Sequence, residues 1–315
     1  MSNDDTSNQA SYPAGLLDWA GHRKGGVRKP FDNETGRPLG KQLETKLVNQ
    51  LNIWQDELIQ NGIQNKTPRF IMLVGGPGNG KSDAIDGCIS QLDQKLHAHG
   101  ALINSFAEAF TSNQNSLPPR RIEVSIGNFS YGKLPKDLKI WLVQDATESS
   151  EDNSPEAALL EEITCLANSL ENIIYICCVN RGILSQVSSL AHEKSTPDII
   201  DLIEEIVSAS SVGINLDPCW PLPKNNNFAI WPMDEESLVS ANSEGKSVAH
   251  QIFEAALDKQ KWPEKCVAGK LCPFCENRRQ LSITNQLDSL VDILANYEFV
   301  CWMWWSIARP RKSWL

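Results

Sequence analysis

The most informative pattern in this chain is the segment Phe70-Ile-Met-Leu-Val-Gly-Gly-Pro-Gly-Asn-Gly-Lys-Ser-Asp83. It begins with a short apolar run, long enough for a buried strand, and Gly75 to Ser82 then matches the spacing of a phosphate-binding loop. The apolar residues beyond the loop recur at helical spacing: Ala84, Ile85, Cys88, Ile89, Leu92 and Leu96. Gly100 is placed to end this helix. The sequence therefore predicts a strand, a glycine-rich loop and a helix in direct succession.

Each type of residue in this loop has a physical task if the ligand is a phosphate. Glycines let the backbone wrap an anion closely, since they have no side chain and adopt positive φ at little cost. The positive end of the helix dipole, the charge of Lys81 and the hydroxyl of Ser82 would complete the site. We therefore predict ATP binding by the whole loop: Gly75, Gly76, Pro77, Gly78, Asn79, Gly80, Lys81, Ser82 and Asp83. The alternative is an ordinary glycine-rich turn between a strand and a helix.

The length and composition are typical of a folded protein. A chain of 315 residues can hold one large α/β domain and a smaller one. Hydrophobic residues make up 41% and charged residues 22%, close to globular averages, so the chain as a whole is not predicted to be disordered. The net charge of −10 argues against a generally basic protein that coats nucleic acid, although a local basic patch stays open.

The N-terminus and the apolar runs predict a cytoplasmic protein without a membrane span. The start, Met1 to Thr6, has neither the basic residues nor the apolar core of a secretion signal. The longest late apolar run, Phe299 to Ala308, is too short to cross a bilayer. The nine cysteines are then expected to be thiols or metal ligands rather than disulfides.

Composition and periodicity divide the chain into four segments. Residues 1–40 form an N-terminal arm, and residues 41–234 form an α/β phosphate-loop domain with a three-layer core and a mostly parallel sheet. Residues 235–300 form a smaller, helical, lid-like region with a cysteine cluster. Residues 301–315 form a tryptophan-rich tail. This tail either binds a partner or marks a chain that stops before a domain that would cover it.

Four more strands are predicted within residues 41–234, each as an apolar or alternating run. They are Arg121–Ile126, Leu138–Val143, Ile173–Val179 and Phe228–Trp231. The intervening apolar stripes at helical spacing predict helices, and Ser154-Pro155 marks the start of one of them.

An apolar run ends in Asp145. In phosphate-loop enzymes, an acid at the end of such a strand holds magnesium through water, beside the serine of the loop. We therefore predict that Ser82 and Asp145 share a magnesium ion, and that Lys81 and Asp145 act in catalysis. Glu148 is the nearest carboxylate that could polarise an attacking water, and Glu151 is more distant. The alternative for Asp145 is an ordinary loop acid after a strand.

The strand Ile173–Val179 is followed by Asn180-Arg181-Gly182. A polar side chain at this end of the strand could lie beside the outermost phosphate and orient a water molecule. Asn180 is our candidate for that sensing role, and the alternative is a turn residue before a helix. Arg181 either neutralises phosphate charge or lies on the surface.

Three cysteines, Cys266, Cys272 and Cys275, predict a zinc site. The Cys272-Pro-Phe-Cys275 knuckle and the upstream cysteine could place three thiolates around one tetrahedral ion. A fourth ligand has no convincing spacing: Cys301, His250 and Cys219 are the candidates. A set of free thiols is the alternative.

Taken together, Gly75 to Ser82, the strand before Asp145 and the strand before Asn180 resemble the additional-strand ATPases, especially the AAA-like branch, over roughly residues 40–235. The resemblance implies binding and hydrolysis of MgATP, with residues 235–300 in the position of a lid. Many ATPases of this type have a glutamate directly after the aspartate, and Ala146 stands there instead.

A looser resemblance comes from the Asn180-Arg181-Gly182 turn followed by Cys266, Cys272-Pro273 and Asn277. These residues are similar to large ATPases of bacterial defence and restriction systems, including those tied to phosphorothioate-modified DNA. This resemblance implies ATP-driven control of a nuclease or DNA-processing partner within a multi-protein system. A homo-oligomer is a separate option.

Three functions remain open at this point. The first is an ATPase that passes conformational change to a partner, with Lys81, Asp145, Glu148 and Asn180 at the reaction centre. The second, suggested by Ala146, is a nucleotide-binding switch or scaffold with little hydrolysis. The third is a small-molecule kinase, which shares the loop.

Overall fold

The computed structural model describes residues 40–60, 67–76, 78–111, 119–126, 137–149, 153–169, 172–211, 219–241, 245–262, 265–266, 268–283 and 285–308. Pro77, residues 1–39 of the N-terminal arm and residues 309–315 therefore lie outside the described residues. Two compact units divide most of the chain: the sheet unit, Gln42–Glu236, and the helical unit, Ser237–Leu315.

A five-stranded sheet forms the centre of the sheet unit. In chain order its strands are β1 (Phe70–Val74), β2 (Arg121–Ser125), β3 (Lys139–Val143), β4 (Ile173–Val179) and β5 (Phe228–Pro232). Their order across the sheet is β2-β3-β4-β1-β5. All neighbours are parallel except β2, which runs antiparallel to β3. The predicted α/β class with a mostly parallel sheet is confirmed.

Nine helices lie in the described residues. Six belong to the sheet unit: α1 (Lys41–Gln60), α2 (Lys81–Lys95), α3 (Ala101–Thr111), α4 (Pro155–Asn168), α5 (Arg181–Lys194) and α6 (Pro197–Ser211). Three belong to the helical unit: α7 (Val248–Leu257), α8 (Pro273–Leu281) and α9 (Gln286–Ala308). Short 3-10 turns cover Met233–Glu235, Lys259–Lys261 and Gly269–Leu271. Proline opens α4, α6 and α8, because its missing N–H group costs nothing in the first turn of a helix.

Helices cover both faces of the sheet. Phe70, Met72 and Val74 of β1 pack in one apolar cluster with α4, α5 and α6. Ile71 and Leu73 point to the opposite face, since side chains alternate along a strand, and they are also fully buried. β4 and β5 are buried along their whole length, whereas β2 alternates exposed and buried residues. The sheet therefore has a buried centre, and β2 is a half-exposed edge strand.

Buried acids hold the starts of two helices. The carboxylate of Asp93, near the end of α2, accepts hydrogen bonds from the N–H groups of Gly100, at 2.7 Å, and Leu102, at 2.9 Å. The carboxylate of Glu236 accepts one from the N–H of Leu43, in the first turn of α1, at 2.9 Å. Both acids satisfy N–H groups that a helix start leaves without intrahelical partners.

The helical unit is predominantly helical, as predicted, but its function as a lid remains a prediction. α9 packs against α7 and α8. The imidazole of His250 on α7 contacts the Ser247 hydroxyl at 2.9 Å and the Asp288 carboxylate at 3.1 Å. Among the helices that the structure describes, none combines the length and the apolar character that crossing a bilayer would require.

Candidate functional site

The carboxyl ends of the parallel strands bring the predicted site residues to one edge of the sheet. Val74, the last residue of β1, pairs with Val179 of β4 and with Pro232 of β5. The N–H of Gly75 donates to the carbonyl of Val179 at 3.1 Å. On the other side of β4, the N–H of Ala146 donates to the carbonyl of Cys178 at 2.9 Å. The segments that leave β1, β3, β4 and β5 therefore meet at this edge.

The glycine-rich loop needs glycine for its backbone conformation at two positions. Gly78 has φ 79° and Gly80 has φ 77°, in the left-handed region that other residues adopt at a cost. Gly80 precedes α2, and its carbonyl accepts the N–H of Ala84 at 2.9 Å, the first turn of that helix. The loop therefore runs directly into the positive end of the α2 dipole.

Position 75 requires glycine for a different reason, which is that neighbouring atoms leave no room for a side chain. A Cβ atom at this position would lie 2.9 Å from Nδ2 of Asn79, 3.0 Å from Cβ of Met233 and 3.1 Å from Oδ1 of Asp234. At Gly76 the nearest atoms would be 3.9 and 4.0 Å away. The chain leaving β1 is therefore enclosed between the loop itself and the chain leaving β5.

The side chain of Lys81 reaches back to the first two residues of the loop. Its ammonium group donates to the carbonyls of Gly75, at 2.9 Å, and Gly76, at 2.5 Å. Burial lowers the pKa of Lys81, and the neighbouring Cys178, Asp145 and Asp234 oppose that shift. A partly buried cation thus sits among the loop carbonyls, within electrostatic reach of two acids.

Asp145 lies just beyond the end of β3 and is exposed. Its Oδ1 accepts the N–H of Thr147 at 2.9 Å, and its carbonyl accepts the N–H of Glu148 at 3.2 Å, so the acid opens a tight turn. Ser82, its predicted partner in magnesium binding, is the second residue of α2 and is half-buried. A magnesium ion shared by Ser82 and Asp145 remains a prediction.

Glu148 belongs to the same cluster as Asp145. Its pKa is raised, first by burial and then by the charge of Asp145, whereas Arg120 lowers it. The position directly after Asp145 is filled by the fully buried methyl group of Ala146. Glu151 lies outside the described residues. Of the two carboxylates considered as bases, the structure therefore places Glu148 near the candidate metal ligand.

Arg120 is a residue that sequence reasoning missed. Because β2 is antiparallel to β3, with Arg121 opposite Val143, the start of β2 lies at the same edge as Asp145. The buried Arg120 guanidinium forms an ion pair with Glu162 of α4, which also accepts the Tyr175 hydroxyl at 2.9 Å. Within the described part of the chain, Nε and Nη2 of Arg120 are buried without a partner. The predicted strand implied nothing about its direction, so no sequence signal pointed to Arg120.

Asn180 caps α5. Its side-chain oxygen accepts the N–H of Ile183 at 2.8 Å, which satisfies one of the free donors at the start of the helix. The turn alternative is therefore realised as a helix cap. The sensing role stays a prediction, and it would depend on the NH₂ group of the side chain.

Asp234 and Arg181 lie at the same edge of the sheet, beside the loop. The sequence did not single out Asp234 as a site residue. One oxygen of the Asp234 carboxylate accepts the N–H of Gly76 at 3.1 Å and also the side-chain amide of Asn79. The other oxygen forms an ion pair with Arg181, whose Nε donates to the carbonyl of Ser210 at 3.0 Å. The available signal was an acid just after a predicted strand, the same signal that marked Asp145.

The helical unit holds a separate cluster. The sulfur atoms of Cys266, Cys272 and Cys275 all lie within 4.8 Å of one another, so this cluster could hold a metal ion. The backbone N–H of Cys275 is the main cause that lowers the pKa of Cys272, and a hydrogen bond with Cys266 raises the pKa of Cys275 to about 11. Three sulfur ligands at this separation suit a thiophilic ion.

The three candidates for a fourth ligand lie in different environments. Both ring nitrogens of His250 already contact other side chains. Cys219 is buried in the sheet unit. Cys301 is in α9, and its side chain lies outside the described residues. The predicted three-cysteine group is thus assembled, and its fourth ligand is open.

The loop, Lys81, Asp145, Glu148, Asn180 and the Asp234–Arg181 pair are therefore placed together at one sheet edge, and the cysteine cluster lies in the other unit. No family model, no curated protein and no solved structure matches this chain.

Proposed function

We propose that the sheet unit binds MgATP at the loop between β1 and α2. The observation that carries this proposal is the position of Lys81, whose ammonium group lies among the loop carbonyls at the start of α2 and within electrostatic reach of Asp145. Backbone amides, a helix start and a lysine form an anion site in which charge and hydrogen-bond donors act together. The strand order supports this proposal, because β1, β4 and β3 are neighbours in the sheet and their ends carry the loop, Asn180 and Asp145.

Magnesium would be held by Ser82 and Asp145. Hydroxyl and carboxylate oxygens are ligands that Mg²⁺ prefers, and the exposed Asp145 carboxylate is accessible to an ion. When bound, the ion would neutralise part of the charge on the phosphates. The role of Lys81 is to bind and orient those phosphates, while Glu148 and the NH₂ group of Asn180 are the candidates for orienting a water molecule.

The test of binding compares wild-type protein with Lys81→Ala by isothermal titration calorimetry with MgATP. We expect the substitution to weaken binding by about tenfold or more, since it removes the cation that pairs with the phosphates. Lys194→Ala is the matched control, because Lys194 is an exposed lysine at the end of α5. Wild-type protein that binds no MgATP would defeat the proposal.

Hydrolysis is the second part of the proposal, with Glu148 as the base. Its proximity to Asp145 favours this assignment, whereas Ala146 favours the alternative of a switch or scaffold with little turnover. Steady-state phosphate release separates the two. An ATPase is expected to release phosphate, and Glu148→Gln is expected to slow the release while leaving MgATP affinity unchanged. Tight binding without release would favour the switch. No observation on the described residues specifically favours a small-molecule kinase.

We further propose that Cys266, Cys272 and Cys275 hold one structural zinc ion. Zinc binds thiolates in tetrahedral sites, and these sulfur atoms are already close together. Metal analysis of purified protein is expected to find about one zinc per chain, and Cys275→Ser is expected to lower that content. Cys165→Ser is the control, because Cys165 is an exposed cysteine in the sheet unit. Metal-free protein in which all three thiols react with a thiol reagent would contradict the proposal.

The biological role that we propose is control of a DNA-processing partner in a defence or restriction system, and it depends on the looser resemblance alone. Proteins that co-purify with the wild-type chain, compared with those that co-purify with Lys81→Ala, would test it. A nuclease or DNA-processing protein that is retained by the wild type and lost from the variant is expected. Unchanged retention, or no such protein, would argue against nucleotide-dependent control.

A further inference from the structure

Asp234 and Arg181 approach the glycine-rich loop from opposite sides. Arg181 follows β4 and Asp234 follows β5, and β1, the strand that leads into the loop, lies between those two strands. Their ion pair therefore bridges the strand from which the loop emerges. We call this pair the clasp.

The clasp contacts the loop directly. The Asp234 carboxylate accepts hydrogen bonds from the Gly76 N–H, at 3.1 Å, and from the Asn79 side-chain amide, so it contacts the loop at two positions. Lys81 binds the carbonyls of Gly75 and Gly76 from within. Gly76 is thus held at its N–H by the clasp and at its carbonyl by Lys81.

Arg181 has a fixed position in this arrangement. Its Nε donates to the carbonyl of Ser210 at 3.0 Å, near the end of α6, while its Nη1 pairs with Asp234. The guanidinium therefore links α6 to the carboxylate that holds the loop. It also neutralises an acid whose charge reaches Lys81.

We infer that the clasp is a positioning device for phosphate binding: Asp234 fixes the loop in its binding conformation, and Arg181 cancels the negative charge that would otherwise repel the phosphates. This inference rests on the proposed MgATP site and adds two positioning residues to it. A preorganised loop binds more tightly because less conformational entropy is lost on binding. An unpaired carboxylate near the phosphates weakens binding by like-charge repulsion, which salt screens.

Substitutions of Asp234 and Arg181 are predicted to change MgATP affinity in different ways, and a loss of packing alone would not produce this difference. Asp234→Ala removes the hydrogen bonds to the loop, so MgATP affinity is expected to fall about tenfold or more. Arg181→Ala leaves the Asp234 charge unpaired, so affinity should fall most at low salt. Arg181→Ala combined with Asp234→Asn removes that charge, and the double variant is expected to bind more tightly than Arg181→Ala alone. Asp201→Ala, an exposed aspartate on α6, is the matched control.

The experiment combines calorimetry with MgATP at low and high salt and hydrogen–deuterium exchange of the loop peptide without nucleotide. Faster exchange of the loop in Asp234→Ala, together with recovery of affinity in the double variant, is the expected result. Affinity within twofold of wild type and unchanged loop exchange in Asp234→Ala would overturn the inference, as would equal affinities of Arg181→Ala and the double variant. If the wild type bound no MgATP, the proposed function would fail, and loop exchange would still decide whether Asp234 holds the loop.

Discussion

Replacing Gly75 by alanine tests the packing at the sheet edge with a single methyl group. The new Cβ atom would lie 2.9 Å from Nδ2 of Asn79, 3.0 Å from Cβ of Met233 and 3.1 Å from Oδ1 of Asp234. Distances this short force neighbouring atoms to move. The Cβ of Met233 is part of the backbone frame and cannot move independently, so the side chains of Asn79 and Asp234 must shift. That shift would disturb the hydrogen bond between them.

The expected cost follows from the size of the overlap. Inserting a methyl group into a packed site costs about 1–3 kcal/mol of unfolding free energy. For a unit of this size, each kcal/mol corresponds to a shift in Tm of about 2–4 °C. We therefore expect Gly75→Ala to lower the Tm by several degrees and to weaken MgATP binding, because the loop can no longer keep its geometry.

Gly76→Ala is the neighbouring control. Its Cβ atom would find its nearest neighbours at 3.9 and 4.0 Å, an ordinary contact distance, so a change within about 0.5 kcal/mol is expected. Combining Gly75→Ala with Asn79→Ala removes the closest contact and should restore part of the lost stability. Thermal unfolding of the wild type, the two single variants and the double variant measures these effects. Equal stability of the Gly75→Ala and Gly76→Ala proteins would refute the packing argument.

Three other substitutions test further parts of the sheet unit. Asp93→Ala leaves two backbone N–H groups at the start of α3 without their carboxylate, so urea unfolding should show a loss of about 2 kcal/mol or more. Tyr175→Phe removes the hydroxyl that donates to the buried Glu162, for an expected loss of about 1–3 kcal/mol, and an unchanged unfolding midpoint would contradict this. Because burial and Asp145 raise the pKa of Glu148, its protonated, inactive form persists to higher pH than in an ordinary glutamate. Phosphate release should therefore rise with pH through that pKa, and this rise should be absent from Glu148→Gln.

The strands and helices were largely readable from local patterns. The predicted strand from Phe70 and the helix that follows the loop are confirmed, as are the strands before Asp145 and Asn180. The predicted end of that helix at Gly100 is wrong, because the helix ends at Lys95 and Gly100 directly precedes the next helix. Such patterns involve residues close in sequence, so spacing alone carries the information. The same reason explains the cysteine cluster, whose three members lie within one short segment and come together as predicted.

The partners of these residues could not be read in the same way. Asp234 reaches Gly76, Asn79 and Arg181 only because β1 lies between β4 and β5 in the sheet. Arg120 reaches the same edge because β2 runs antiparallel to β3. Strand order and direction depend on packing between distant segments, which periodicity does not encode.

Residue type and short-range spacing were enough to predict the α/β class, the glycine-rich loop with Lys81 and the group of three cysteines. The charges that surround that loop follow instead from the order of the strands in the folded sheet. This order places Asp234, after β5, and Arg181, after β4, beside the loop that follows β1. Hydrogen bonds and ion pairs form between groups that are neighbours in the folded sheet, however far apart they are in the chain.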